Sequence, residues 1–122
     1  KKIQYTMRLY VKDNSGDYKQ TNDISKYLSS FTLENATSSS GLNGKECVFT
    51  TDYNGEEQNT AVTKFTVKTG KAFEEQGLTY ANYRVELTAV LLNDNNSVVN
   101  GTTSSDYVVY TNAKIETGFI NS

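Results

Sequence analysis

The sequence predicts an all-β domain, and three observations carry that expectation. First, residues 80–93 alternate strictly. Tyr83, Val85, Leu87, Ala89 and Leu91 fall on one face, and Arg84, Glu86 and Thr88 on the other, which is the period of two of a half-buried strand. Second, residues 3–12 repeat the pattern, with Ile3, Tyr5, Met7, Leu9 and Val11 against Gln4, Thr6, Arg8, Tyr10 and Lys12. Third, Thr, Ser, Asn and Tyr dominate over Ala and Leu, a balance that favours strands and turns over helices. Past Thr88 the second face of residues 80–93 also turns apolar, at Val90 and Leu92. That places the strand centrally or beneath a packed neighbour, with the rest of the chain built around it.

Taken in order, residues 3–12 form the first strand and residues 13–17 turn the chain. Asp13, Ser15 and Asp17 have the spacing of a calcium loop, but an EF-hand needs Gly at the sixth place and Glu at the twelfth. Tyr18 and Ile24 stand there, so a polar turn is the better reading. Residues 22–33 predict a helical turn running into a strand. Ile24, Tyr27, Leu28 and Phe31 share a helical face, Asn22 or Asp23 can cap it, and Phe31 and Leu33 point inward from the strand. Residues 35–44 read as a Ser- and Gly-rich loop.

Residues 46–53 predict a strand with Cys47, Phe49, Thr51 and Tyr53 on one side; Cys47 is expected as a small core residue. Asn54-Gly55 signals a tight turn. Residues 61–68 predict a strand with Ala61, Thr63, Phe65 and Val67 inward, and residues 70–77 a charged connection with room for one helical turn. Residues 93–105 read as a polar loop, residues 105–115 as the last strand, and residues 116–122 as a tail. About six or seven strands separated by turn-rich loops, with one short helix near residues 23–30, is the signature of an immunoglobulin-like β-sandwich. Tyr80 or Tyr83 suits a tyrosine corner at the start of the penultimate strand.

The chain has 122 residues, the size of a single domain able to hold a core without metals or bridges. Residues 1–122 are read as one domain cut from a longer multidomain protein. One Cys excludes an internal disulfide. A net charge of -2 without a basic patch argues against nucleic-acid binding, and no apolar run approaches membrane-spanning length. The absence of His removes Ser-His-Asp and Cys-His catalysis and most zinc sites. The pairs Glu56-Glu57 and Glu74-Glu75 point apart as neighbours and do not supply opposed carboxylates for glycoside hydrolysis. An enzyme, a metal centre and a cofactor are not expected. The triplets beginning at Asn35, Asn95 and Asn100 match the glycosylation sequon, a frequent chance match in an Asn- and Thr-rich chain.

Three stretches resemble the B-type repeat domains of collagen adhesins and pilins on Gram-positive cell surfaces. They are Val11-Lys12-Asp13 with Gly16 downstream, Leu28-Ser29-Ser30-Phe31-Thr32-Leu33, and Val108-Val109-Tyr110-Thr111-Asn112-Ala113-Lys114. Gly77-Leu78 followed by Tyr83 is also similar to the approach to that family's acid-bearing strand. The resemblance implies a Lys–Asn isopeptide bond between the first and closing strands, with Lys12, Asn112 and Glu86 as candidates. The family's acid lies four residues after its Tyr, where this chain has Leu87; Glu86 is one residue early, on the opposite face. The bond forms when an unprotonated amine attacks an amide in a buried site, with a neutral carboxyl moving the proton. The alternation places Lys12 on the polar face with Gln4, Thr6 and Arg8, so a bulge would be needed to turn it inward.

The resemblance further implies a non-enzymatic stalk, spacer or adhesive module of an extracellular, wall-anchored bacterial protein. Such a module is monomeric, and its partners are neighbouring domains of the same chain. A second expectation follows from nine Tyr and no Trp: a glycan- or host-protein-binding module with surface Tyr platforms. Tyr10 and Tyr107 are its leading candidates, beside Tyr18 and Tyr53, although Tyr also packs readily at strand rims.

Overall fold

The computed structural model describes residues 2–42, 44–53, 60–69, 75, 83–98, 104–108 and 114–118; for 60–69, 104–108 and 114–118 it describes the backbone. Among these residues the chain is all-β, with nine strands: β1 (Lys2–Lys12), β2 (Tyr18–Gln20), β3 (Leu28–Leu33), β4 (Ala36–Ser39), β5 (Glu46–Asp52), β6 (Thr60–Thr69), β7 (Tyr83–Leu92), β8 (Ser104–Val108) and β9 (Lys114–Gly118). A single 3-10 turn, Ile24–Lys26, precedes β3, so the expected helical turn running into a strand is present. The large sheet has the order β4-β5-β1-β7-β8, with β2 added to the end of β1; the smaller has the order β3-β6-β9.

All pairings are antiparallel. β1 runs against β7 from Lys2↔Leu92 to Val11↔Tyr83 without a shift, and against β5 from Lys2↔Asp52 to Arg8↔Glu46. The expected centre, β7, is therefore an interior strand, but β1 is the one hydrogen-bonded on both sides along nearly its whole length. Its alternation sets the core. Ile3, Tyr5, Met7 and Leu9 are buried, each at 2 % exposure or less. The register lines them up with inward residues on both neighbours: Thr51–Ile3–Leu91, Phe49–Tyr5–Ala89 and Cys47–Met7–Leu87. The small Ala89 opposite Tyr5 leaves room for the ring, the large-against-small fit that a close-packed interior requires.

Leu28, Phe31 and Leu33 of β3 join the same core. The Phe31 and Phe49 rings lie 5.4 Å apart at 41°, within the range of favourable aromatic pairs. Ile24 is buried with them, and its amide donates to the Gly44 carbonyl at 2.8 Å, which pins the 3-10 turn to the connection before β5. Cys47 is a buried, free thiol, as expected. Burial raises its pKa, so it stays a protonated, unreactive core group. Leu92 is buried on the opposite face, bridged to Val98 by the returning chain.

Three sequence expectations are corrected. Residues 35–44 were expected as a loop, yet they contain β4, an edge strand on β5; β2 is a second unexpected strand. Both are short and polar, and they form because a neighbour offers unpaired backbone groups, which local pattern does not reveal. The expected last strand is divided. β8 pairs with β7 in the large sheet and β9 with β6 in the small one, so the first and last strands are not neighbours. The Asn54-Gly55 turn, most of the 70–77 connection, Tyr80 and residues 109–113 lie outside the described residues.

The same turn is built twice. In residues 13–17 the Asp13 amide donates to the Asp17 carbonyl (2.8 Å) and the Gly16 amide to the Asp13 carbonyl (3.0 Å). The Ser15 and Asp17 amides donate to Asp13 Oδ1 (2.9 and 3.0 Å). In residues 93–97 the corresponding bonds are Asn93 to Ser97 (3.0 Å) and Asn96 to Asn93 (2.9 Å). The Asn95 and Ser97 amides donate to Asn93 Oδ1 (2.9 and 3.1 Å). The fourth residue is left-handed in both, Gly16 at φ 87° and Asn96 at φ 61°. A Cβ at Gly16 would meet only Lys12 Cε at 3.9 Å, so its cost there is conformational and not steric crowding. Gly16→Ala is expected to destabilise the domain by roughly 1 kcal/mol, and Asn96→Gly to leave stability equal or slightly raised. Urea midpoints of the two variants against the parent check this; an unchanged Gly16→Ala midpoint would contradict the strain argument.

Candidate functional site

The outer face of the large sheet carries the chemistry, because alternation sends every second residue of β1 and β7 there. Moving along β1, its side chains form successive rows. The first row is Glu46–Arg8–Glu86, set directly by the register of β5, β1 and β7. Arg8 Nη2 pairs with Glu46 Oε2. Its Nη1 lies 3.3 Å from Glu86 Oε1 and 3.5 Å from Thr88 Oγ1. One guanidinium thus ties three adjacent strands across two carboxylates. With Arg8 at 29 % and Glu86 at 14 % side-chain exposure, the row is partly shielded and is worth more than an isolated surface pair.

The next rows are aromatic and basic. Tyr10 stands between Gln20 of β2 and Arg84 of β7, and Lys12 stands beside Tyr18. Arg84 reaches across β1, with its guanidinium carbon 4.5 Å from the centre of the Tyr18 ring and 5.9 Å from that of Tyr10. Lys12 Nζ lies 5.8 Å from the Tyr18 ring centre. Each such contact contributes about 0.5–1 kcal/mol at an exposed site. Tyr18 therefore takes one cation from each of two strands.

At the adjoining turn Lys19 Nζ lies 2.9 Å from Asp13 Oδ2. The hydrogen bond from Lys19, followed by those from the Asp17 and Ser15 amides, holds the Asp13 carboxyl below its ordinary pKa. The Asp13 oxygens are thus engaged by the chain's own donors, which is the polar-turn reading. An open recess of about 380 Å³ beside it is lined by Lys12, Asn14, Lys19, Gln20, Thr21 and Tyr27, among others.

The structure does not bring the isopeptide candidates Lys12 and Glu86 together. Lys12 is exposed at the end of β1, with its Nζ over the Tyr18 ring. Glu86 faces Arg8, four residues further along the ladder, roughly 13 Å at the rise of a strand. Asn112 lies outside the described residues. Of the ligand candidates, Tyr10 is half-buried, with the Arg84 guanidinium carbon 5.9 Å from its ring centre. Tyr107 is opposite Glu86 in the β7–β8 register, and its side chain lies outside the description. Tyr53 is half-buried against the core. Sequence reasoning missed Arg84 as a partner of Tyr10 and Tyr18. The two Tyr and Arg84 are far apart in sequence, and only strand pairing joins them.

Two outcomes follow. Because the folded-state pKa of Asp13 is depressed, its contribution is present above the ordinary carboxylate pKa and is lost as pH falls through the folded value. Asp13→Asn keeps the turn, as Asn93 does, but removes the ionisation. The variant is expected to show a flatter loss of stability than the parent between about pH 5 and about pH 2, read from urea midpoints across that range. An identical acid limb would show that Asp13 carries none of it. Second, intact mass under denaturing conditions is expected to equal that of the plain chain, since Lys12 is exposed and lies four ladder positions from Glu86. A mass short by one ammonia would establish a Lys–Asn bond and require Lys12, or another Lys, to reach a buried amide.

Comparison of the chain with models of protein families, with curated proteins and with solved structures finds no match.

Proposed function

We propose that this chain is a non-enzymatic structural module, a stalk or spacer, of a bacterial cell-surface protein, built as an immunoglobulin-like β-sandwich. The observation that carries the reading is the placement of the two strands nearest the chain ends. β1 lies inside the large sheet, bonded to β7 along ten positions and to β5 along seven. β9 belongs to the smaller sheet, on β6. A load drawn along β1 and opposed along β5 and β7 shears both ladders together, with the Glu46–Arg8–Glu86 row added across them. A spacer between domains benefits from that geometry. Supporting it are the packing of β3 over the inner face of the large sheet and the resemblance of residues 11–16, 28–33 and 108–114 to surface-adhesin repeats. The reading needs no covalent cross-link.

A second reading, a glycan-binding module, is favoured by one observation: the Tyr10, Tyr18, Lys12 and Arg84 group on the open outer face. It is compatible with a spacer role, since the group lies away from the core.

The stalk reading is tested by single-molecule stretching with handles at the two chain ends. One cooperative rupture is expected, at a force well above that needed when the handles are moved so that edge strand β4 is peeled from β5. Gradual unravelling at low force from the chain ends would sink the proposal.

A further inference from the structure

We propose that the recess at the Lys2 end of the outer face of the large sheet binds an uncharged sugar, a terminal mono- or disaccharide unit. The inference takes its ligand class from the glycan reading above and places the ligand on other residues.

The recess has a volume of about 560 Å³, within the range of small-ligand sites. Register sets its floor. Gln4 of β1 stands opposite Thr50 of β5, and Thr50 opposite Ser38 of β4. Gln4 shares the outward parity of Arg8, so the three form one polar row on the outer face. At the spacing of paired strands the row runs roughly 10 Å, room for a disaccharide. Leu92, opposite Lys2 on β7, continues the floor. The returning chain adds Asn96 and Val98 on one side, and Thr37 of edge strand β4 lies on the other.

The rest of this face uses its own polar groups. Arg8 is matched by Glu46 and Glu86, and Arg84 and Lys12 lie over Tyr rings. In the recess, among the described residues, the side chains of Lys2, Gln4, Ser38, Thr50 and Asn96 make no hydrogen bond or ion pair. The Thr37 hydroxyl alone is used, donating to the Thr50 carbonyl at 3.0 Å. Amides and hydroxyls both donate and accept, which is the pairing that the hydroxyls of a sugar require.

Charge and shape select the occupant. Lys2 stands opposite Asp52 in the register, so the charges at this end balance and favour neither an anion nor a cation. Val98, at 55 % exposure, is the one large hydrophobic residue left exposed among the described residues; it offers an apolar contact to the C–H face of a ring. An extended peptide binds a sheet through backbone groups at an edge. Beneath the recess the backbones of β1 and β5 are paired on both sides, which leaves side chains as the bonding groups.

The test is a screen of the domain on an array of neutral and acidic glycans, followed by titration of the amide-labelled domain by heteronuclear NMR. The titration uses the strongest neutral hit, together with lactose, sialyllactose and tetra-alanine. A neutral sugar is expected to shift the amide signals of Gln4, Thr50, Asn96 and Val98 saturably, and raised salt to leave the affinity nearly unchanged, because no charge pair is there to be screened. Gln4→Val and, separately, Asn96→Gly should each raise the dissociation constant up to about tenfold, the worth of one hydrogen bond. Glycine keeps the left-handed turn at residue 96, so that variant stays interpretable if the Gln4 variant folds poorly. Shifts confined to Tyr10, Tyr18 and Arg84 would overturn the inference and leave the glycan reading standing. Binding of sialyllactose with no binding of any neutral sugar would overturn the uncharged-ligand inference. Tighter binding of tetra-alanine at these residues would overturn it in favour of a peptide site. No saturable shift with any sugar would overturn both the inference and the glycan reading.

Discussion

The ladder between β1 and its two neighbours is the constraint on which the rest of the molecule depends. Because side chains alternate with a period of two, a one-residue slip of β1 would send Ile3, Tyr5, Met7 and Leu9 to the solvent face. Burial of those four residues therefore fixes the register on both sides at once. The same register fixes what faces outward. Arg8 meets Glu46 and Glu86, and Tyr10 meets Arg84, because Tyr5 and Met7 are inside. The outer-face chemistry is a by-product of core packing, held in place at no separate cost in backbone order.

The edges of the two sheets are handled differently from their centres. β4 and β3, joined by the tight connection at Glu34 and Asn35, are edge strands of different sheets, and each carries a register irregularity, between Ala36 and Ser38 and between Leu28 and Ser30. Bulges and short exposed strands discourage a second chain from adding to an edge. Asn35, at φ 63°, supplies the left-handed residue that lets the chain leave one sheet and enter the other within two residues. Asn and Gly tolerate that region better than other residues.

The two hairpin turns show how far equivalent local chemistry extends. Residues 13–17 and 93–97 close with the same four hydrogen bonds, one led by Asp and the other by Asn. An Asx side chain accepting from the amides two and four residues on replaces backbone partners that a tight turn would otherwise leave empty. The charged version also draws in Lys19, which couples the turn to β2. The neutral version sits at the opposite end of the sheet, where the chain returns to bridge Leu92.

Local pattern alone dictates the all-β class, the inward faces of β1, β5 and β7, the burial of Cys47, the helical turn before β3 and the polar turn at Asp13. Each of these is written in neighbouring residues, as an alternation or a turn signature, and needs no knowledge of what lies across the sheet. The repeat of the Asp13 turn at Asn93 was legible too, in an Asx followed three residues later by a Gly or Asn, although residues 93–105 read as a loop. Long-range pairing, in contrast, sets β1 at the centre, creates β2 and β4, sends the last strands to different sheets and brings Arg84 to within 4.5 Å of the Tyr18 ring centre. Strand pairing is chosen by backbone groups and buried faces from distant parts of the chain, so short polar strands acquire their conformation from a partner. The same pairing left Lys12 exposed beside an aromatic ring, a position its own sequence neighbours did not specify.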